Sequence, residues 1–307
     1  MQYDLVIIGG GPAAVSGGIY AARKKLKTAL IATEIAGQSV VSEGIQNWIG
    51  EVSIPGADLV KKFREHLDAY KGDIVEIHEG QTVTKVEKKD KGHFITTTDK
   101  GETFESRAVL VASGAVRRRL PVPGADEFEH KGLTYCASCD GPLFTDMDVV
   151  VVGGGNAGFE TAAQLLAYTK SVTLLHRSDS FKADPVTVEK VLADPKMTAI
   201  TNANTVEVLG DKFVTGIKYE VNGEEKELPV AGIFVEIGMV PSTNFVEGIV
   251  ALDDYKRIKV DGKSQQTETP GIWAAGDCTD ELYHQNNIAA GDAVKALEDI
   301  YVHLKAK

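Results

Sequence analysis

Cysteine is scarce in this 307-residue sequence, with three in all, an odd number too small for the disulfide framework of a secreted scaffold. Positive charge is short as well. Lys and Arg number 33 against 44 Asp and Glu, and the net charge of −11 lacks the basic surface that nucleic-acid phosphates require, so no nucleic-acid partner is expected. No stretch of about 18 apolar residues occurs, and no membrane-spanning helix is expected. Only two residues precede "YDLVIIGGG", with no basic and then long apolar stretch to read as a signal peptide, so the expected location is cytoplasmic. Low-complexity tracts are missing too. What remains, 43% hydrophobic and 25% charged, is a globular composition long enough for two domains.

The pattern predicts a strand over 3–8, a glycine turn, a helix over about 13–24 and a strand over 28–32, which together make a βαβ unit. The same grammar returns as a strand over 148–152, a glycine turn over 153–155, a helix over about 157–168 and a strand over 171–175. The two glycine turns start 144 positions apart, a duplication on the scale of a domain. Between them, "QTVTKVEKK" and "HFITTTD" alternate like a small antiparallel element laid over the first sheet, and "RAVLVASGA" (107–115) reads as a buried strand ending in a glycine turn. The basic, proline-containing "RRRLPVPGADEF" marks a domain boundary, and "GMVPSTNF" (238–245) marks a second. Asn222-Gly223 signals a hairpin. The segment from about 247 onward holds a glycine-ended strand in "GIWAAGDC" and a closing helix, and it is expected to return to the first domain. The expected fold class is α/β, with two Rossmann-like dinucleotide-binding domains of the three-layer ββα type, the second inserted into the first: 1–114 with 245–307, and 115–244.

Gly9, Gly11, Pro12, Ala13 and Ala14 match the GxGxxG/A fingerprint in the context that gives it meaning, directly after a strand and opening a helix. Gly11 lets the backbone approach a pyrophosphate, and the helix N-terminus supplies N–H donors. Gly153, Gly155, Asn156, Ala157 and Gly158 repeat the fingerprint in full. After its second strand, where an NAD site would carry an acid, stand His176 and Arg177, with Lys182 close behind. Cations there suit the 2′-phosphate of NADP, so NADPH is expected over NADH. Two such sites in one chain suit electron transfer between a flavin and a nicotinamide.

"TYCASCDGPLF" holds Cys136 and Cys139, then Asp140. A structural zinc site needs four ligands, and only Cys278 and scattered histidines remain, so no metal is expected. A disulfide staple across so short a loop would remove little chain entropy. Redox chemistry uses the spacing best: one sulfur attacks a substrate disulfide and the other resolves the mixed disulfide. Asp140 can serve as the acid/base for the thiols or as a turn or capping residue, two compatible uses. Cys278, in "AAGDC", reads as a buried core thiol.

The two fingerprints, "ASGA" (112–115), "CASCD" (136–140), "HR" (176–177) and "AAGD" (274–277) occur in the order of the low-molecular-weight thioredoxin reductases, and the chain resembles that family over nearly its whole length. It is also similar to the flavoprotein subunit of alkyl hydroperoxide reductase, which carries an extra N-terminal disulfide domain not found in this sequence. The resemblance implies FAD held by Gly9, Gly11, Pro12, Ala13, Glu34, Gly37, Gln38, Asn47, Val83, Ser113, Gly114, Asp277, His284, Gln285 and Asn286. It implies NADPH held by Gly153, Gly155, Asn156, Ala157, Glu160, His176, Arg177 and Lys182. In the family the second cysteine of the pair, here Cys139, faces the flavin, Cys136 attacks the protein disulfide, and Asp140 is the acid/base. Ser178 departs from the pattern, standing where NADPH-using members carry a second arginine, and His284 and Asn286 replace the neighbours of Gln285 in an Arg-Gln-Ala pattern.

The activity implied is thioredoxin-disulfide reduction, with electrons passing from NADPH through FAD and the Cys136/Cys139 pair to thioredoxin or a thioredoxin-like protein, in a cytoplasmic homodimer. In the family the nicotinamide domain rotates about its linkers, here near Ala115 and Pro241. The alternatives are an FAD-dependent dithiol oxidase, or a flavin disulfide reductase fed by NADH, ferredoxin or another donor.

Overall fold

"LVIIG" and "VVVVG" each drive a strand of β-branched and aliphatic residues straight into a glycine, and each begins one half of the fold. The computed structural model describes residues 2–41, 45, 47–72, 74–89, 92–135 and 137–305. The chain starts with β1 (Gln2–Ile8), α1 (Pro12–Arg23) and β2 (Thr28–Ala32). It continues through α2 (Gly56–Asp68), β3 (Val75–Glu79), β4 (Val83–Lys88), β5 (Phe94–Thr98) and β6 (Thr103–Val111). After β7 (Ala115–Arg117) come β8 (Leu133–Thr134), the helical turn α3 (Ala137–Asp140), β9 (Asp148–Val152), α4 (Asn156–Leu165) and β10 (Ser171–Leu175). Next are α5 (Pro185–Leu192), β11 (Met197–Ile200), β12 (Ala203–Gly210), β13 (Val214–Val221), β14 (Glu224–Pro229) and β15 (Gly232–Val235). β16 (Met239–Pro241) pairs with β7, and β17 (Ile272–Ala274) and α6 (Asn286–Lys305) close the chain.

The chain divides into two units, one made of the residues up to Val116 together with those from Val240 on, the other of Arg117–Met239. In the first unit the parallel strands run in the order β3-β2-β1-β6, with β17 beside the C-terminal half of β6. In the second unit the order is β11-β10-β9-β15-β8, all parallel. Chain order reverses between β1 and β6, and again between β9 and β15. Open sheets of this kind bind ligands outside the carboxyl ends of the strands at such a switch point. The mixed α/β architecture with two Rossmann-like domains, the second inserted into the first, is the one the sequence led us to expect.

Each unit has its own core. In the first, α1, α2 and α6 cover one face of the sheet through Ala14, Ile19, Leu59, Leu67, Ala293 and Leu297. On the other face Val83, Val86 and Phe94 pack against Val6, Ile8 and Val109. The antiparallel strands β4 and β5 therefore do lie over the sheet, but they are also part of it, because β5 pairs with the first half of β6. In the second unit Leu133, Val150, Ile217 and Ile233 form one cluster, and Phe144, Val149, Phe159 and Phe234 form another.

Two boundaries differ from expectation. α4 ends at Leu165, because the N–H groups of Ala167 and Tyr168 donate three residues back, to Gln164 and Leu165, and tighten the last turn. The segment 107–115, expected as a strand ending in a glycine turn, does end so, with β6 stopping at Val111 and Gly114 at φ +65°, but the strand starts earlier, at Thr103. The hairpin at Asn222 (φ 55°) and Gly223 (φ 80°) has both central residues left-handed, as a type I′ turn requires.

Candidate functional site

Both glycine turns lie at the switch points, and they are built alike. Gly9 sits at φ +132°, and a Cβ there would stand 2.1 Å from the Ala112 carbonyl oxygen; Gly153 sits at φ +128°, and a Cβ would stand 2.1 Å from the Glu236 carbonyl oxygen. At both positions the end of the neighbouring strand crowds the turn, and only glycine fits. The middle glycines face open space. A Cβ on Gly155 would meet nothing within 4 Å, and one on Gly11 only the Gly37 Cα at 3.8 Å. Gly11 caps α1 and Gly155 caps α4 without any side-chain bond, so the first N–H groups of both helices are left to a ligand or to water. Pro12 occupies the first turn of α1, where its missing N–H costs nothing. A Cβ-free approach beside uncapped helix donors fits a dinucleotide pyrophosphate. Gly158 lies so near the turn that a Cβ would stand 1.9 Å from the Gly153 oxygen, whereas Ala14 is accommodated, fully buried, at the corresponding place. Ala13 is buried, while Asn156, Ala157 and Glu160 are exposed along the start of α4.

In the first unit, two segments distant in sequence meet. Asn47 Nδ2 donates to Gln285 Oε1 at 2.9 Å, and Ser39 Oγ donates to Asn286 Oδ1 at 2.9 Å. Asn287 Nδ2 donates to the Asn47 carbonyl at 2.5 Å. Ser39 and Asn287 were missed from the sequence because no fingerprint spacing marks them. Gln38 Nε2 donates to the Ala115 carbonyl, and Gly37, at φ +74°, faces Gly11 across the turn. Ser113 Oγ donates to the Ser242 carbonyl at 2.6 Å, next to Gly114. Glu34 projects an exposed side chain at the end of β2, with its carbonyl under Gly10. Burial pushes the Asp277 carboxyl above the usual carboxylate range, and His284 opposes it. The Val83 side chain belongs to the core on the sheet's other face, 6% exposed, so only its backbone is available to a ligand. Cys278 is buried, its Sγ–H directed at the Ala275 and Val111 carbonyls, and burial pushes the thiol up to about 11.

In the second unit the β10–α5 loop is bound to the glycine turn. His176 Nδ1 accepts from the Gly154 N–H at 3.2 Å, and its Nε2–H donates to the Ser180 carbonyl at 2.9 Å. The Lys182 N–H donates to the Gly154 carbonyl, and the Asp184 N–H donates to Asn156 Oδ1 at 2.8 Å. Phe181 packs edge-on against Phe159, 5.0 Å between centroids. Both ring nitrogens of His176 are thus tied to backbone, one of them to the glycine turn. Arg177 and Lys182 are exposed. Beside the turn, Thr161 Oγ1 donates to Glu236 Oε1 at 2.9 Å, a pairing that no motif announced.

Cys136 lies outside the described residues, and the backbone of Cys139 belongs to α3. Asp140 is half-buried, and its Oδ2 accepts from Thr134 Oγ1, at the end of β8. Its carboxylate makes no cap bond to the following turn, 141–144. Among the described residues no group of three or more His, Cys, Asp or Glu could hold a metal ion, and no helix is long and apolar enough to cross a membrane.

Residues 3–293 match the family model described as pyridine nucleotide-disulphide oxidoreductase. An NADH dehydrogenase of Bacillus subtilis and an alkyl hydroperoxide reductase subunit of Staphylococcus epidermidis are each 39% identical over 296 residues, covering 96% of this chain and 57% of the relative. The chain therefore spans little more than half the length of these relatives. Among solved structures, Lactococcus lactis thioredoxin reductase superposes with a TM-score of 0.85 at 31% identity, covering 99% of this chain and 100% of the other. T. acidophilum thioredoxin reductase gives 0.81 at 34% identity, covering 98% of each chain. A family of this kind implies FAD and a pyridine nucleotide, and the glycine cradles fit both. The chain belongs to the pyridine nucleotide-disulphide oxidoreductase family, with the architecture of the low-molecular-weight thioredoxin reductases.

Proposed function

We propose that this flavin disulfide reductase is a thioredoxin-disulfide reductase, moving electrons from NADPH to the disulfide of thioredoxin or a thioredoxin-like protein. The observation that carries the reading is the pair of open glycine cradles, at Gly11 and Gly155, in a chain whose CxxC segment immediately precedes the second one. Bound FAD would supply the two-electron relay between coenzyme and protein disulfide. Gly9, Gly11 and the first turn of α1 would hold its pyrophosphate, with Asp277, Gln38, Asn47 and Gln285 ordering the rest. Gly155, Asn156 and Glu160 would receive the nicotinamide coenzyme, and Arg177 with Lys182 its 2′-phosphate. Cys136 would attack the partner disulfide and Cys139 would resolve the mixed disulfide, with Asp140, steadied by Thr134, passing the proton. A homodimer in the cytoplasm goes with this reading.

A second coenzyme reading is favoured by a specific observation. Ser178 offers no charge and the His176 ring nitrogens are both committed to backbone, which leaves two cations for a 2′-phosphate. The B. subtilis relative, moreover, bears the name NADH dehydrogenase. Anaerobic titration decides between them: addition of NADPH should bleach the flavin absorbance, and oxidised thioredoxin should restore it. Bleaching by NADH but not NADPH would move the donor, and bleaching without recovery on thioredoxin would remove the acceptor.

A further inference from the structure

Arg117 opens the second unit, and its guanidinium meets two different things. Nη1 donates to the carbonyl of Tyr135, the residue before Cys136, and lies 3.3 Å from Glu236 Oε1 and 3.4 Å from Oε2. The Glu236 side chain is only 12% exposed, while Arg117 is 39% exposed. The same Oε1 accepts from Thr161 on α4, the helix that starts at the second glycine cradle. A chain of polar contacts thus runs from the fingerprint helix through Glu236 and Arg117 to the peptide ahead of the CxxC.

The first unit provides an internal control. Glu236 follows the strand beside Gly153 as Ala112 follows the strand beside Gly9, and Thr161 stands eight residues after Gly153 as Gly17 stands eight after Gly9. Both positions are apolar and small in the unit without a dithiol. The fold itself therefore needs neither the carboxylate nor the hydroxyl. Burial raises the Glu236 carboxyl, with Arg117 and Thr161 opposing, so the acid occupies its place at a desolvation cost that its partners only partly offset.

The geometry points to the Arg117–Glu236 pair as a positioning device for the redox segment: Glu236, anchored to α4 by Thr161, holds Arg117 on the carbonyl preceding Cys136, and the balance of the two charges sets the thiol–disulfide equilibrium of Cys136 and Cys139. This inference rests on the reading of those cysteines as a redox pair. Reduction of their S–S bond takes up two electrons and two protons to give two thiols, and only in this reduced state can one of them release its proton to solvent and stand as thiolate. A neighbouring cation stabilises that state, an anion disfavours it, and a paired cation and anion largely cancel.

The test is equilibration of the anaerobic holoenzyme with dithiothreitol buffers of graded reduced-to-oxidised ratio, followed by acid quench, alkylation and mass spectrometry of the cysteines. Dithiothreitol supplies the two electrons and two protons as its own ring disulfide closes. Glu236→Gln uncovers the cation and should lower the ratio needed for half-reduction about three- to tenfold; Arg117→Gln uncovers the anion and should raise it by a similar factor. The double variant and Arg117→Lys should both lie near wild type. A purely structural role would move both single variants the same way or neither, and either result overturns the inference. If no Cys136–Cys139 disulfide forms in the wild type at any ratio, the redox reading itself falls, and this inference with it.

Discussion

Asp277 carries a carboxyl that burial pushes above its ordinary range while His284 works against the shift. In the folded protein it holds its proton more tightly than in the unfolded chain, so folding stability falls as pH rises from the unfolded pKa through the folded one. Asp277→Asn removes that titration. In urea unfolding of the apoprotein, the variant should equal or exceed wild type at pH 7.5, with the advantage shrinking as the pH falls below the ordinary Asp pKa of about 3.9, where the wild-type carboxyl becomes protonated in both states. A lower midpoint for the variant at pH 7.5 would show that the carboxylate is stabilised by contacts that outweigh its burial. Glycines separate in the same way. Gly153→Ala meets a carbonyl at 2.1 Å in a left-handed backbone and should cost about 1–3 kcal/mol or more of stability, whereas Gly155→Ala enters open space, should keep the melting temperature and should weaken nicotinamide coenzyme binding about tenfold or more. Calorimetry of binding and of unfolding on the two variants tells structure from site. The fingerprint glycines could be read in the sequence because spacing alone encodes their backbone conformation. Glu236, Thr161, Ser39 and Asn287 could not, because their contacts are formed across 75 or more residues of chain and no local period records them.

At the scale of elements, the loop between β10 and α5 folds back on the glycine turn through the His176 ring, the Lys182 and Asp184 N–H groups and Phe181. Strand and helix periods made the βαβ units legible nearly to the residue, since buried parallel strands are continuous apolar runs bounded by glycine. The role of the "HRSDSFK" loop was legible only in its charges. Which of them the backbone consumes depends on a ring buried under a turn 22 residues earlier, and that emerges only in three dimensions. On the proposed reading, Arg177 and Lys182, not His176, would discriminate the coenzymes. Arg177→Ala and Lys182→Ala should each raise KM for NADPH about tenfold, leaving kcat and the NADH parameters near wild type. His176→Phe, by contrast, should weaken both coenzymes together through the displaced turn. Steady-state kinetics with both donors checks this, and loss of NADPH preference confined to the His176 variant would reverse the assignment.

At the scale of the whole molecule, the second unit is one uninterrupted segment, Arg117–Met239, with two core clusters drawn from its own residues. Its ends meet, because the Arg118 N–H donates to the Gly238 carbonyl at 2.9 Å. A segment that closes on itself and buries its own apolar surface meets the conditions for folding alone. The first unit is made from two stretches, but their ends also meet: the Ser242 N–H donates to the Gly114 carbonyl at 3.0 Å, so a short glycine-serine linker can replace what lies between. Excised residues 117–239 should then unfold in a single cooperative transition, and a saturating nicotinamide coenzyme should raise its midpoint while FAD leaves it unchanged. The rejoined remainder should show the opposite response, retaining FAD and ignoring the coenzyme. Thermal unfolding of the two halves with each ligand measures this directly. A second unit that melts without cooperativity, or a remainder that cannot retain FAD, would mean that the two dinucleotide sites are not carried by separately folding units. The duplication read from two glycine turns 144 residues apart would then be one of topology alone.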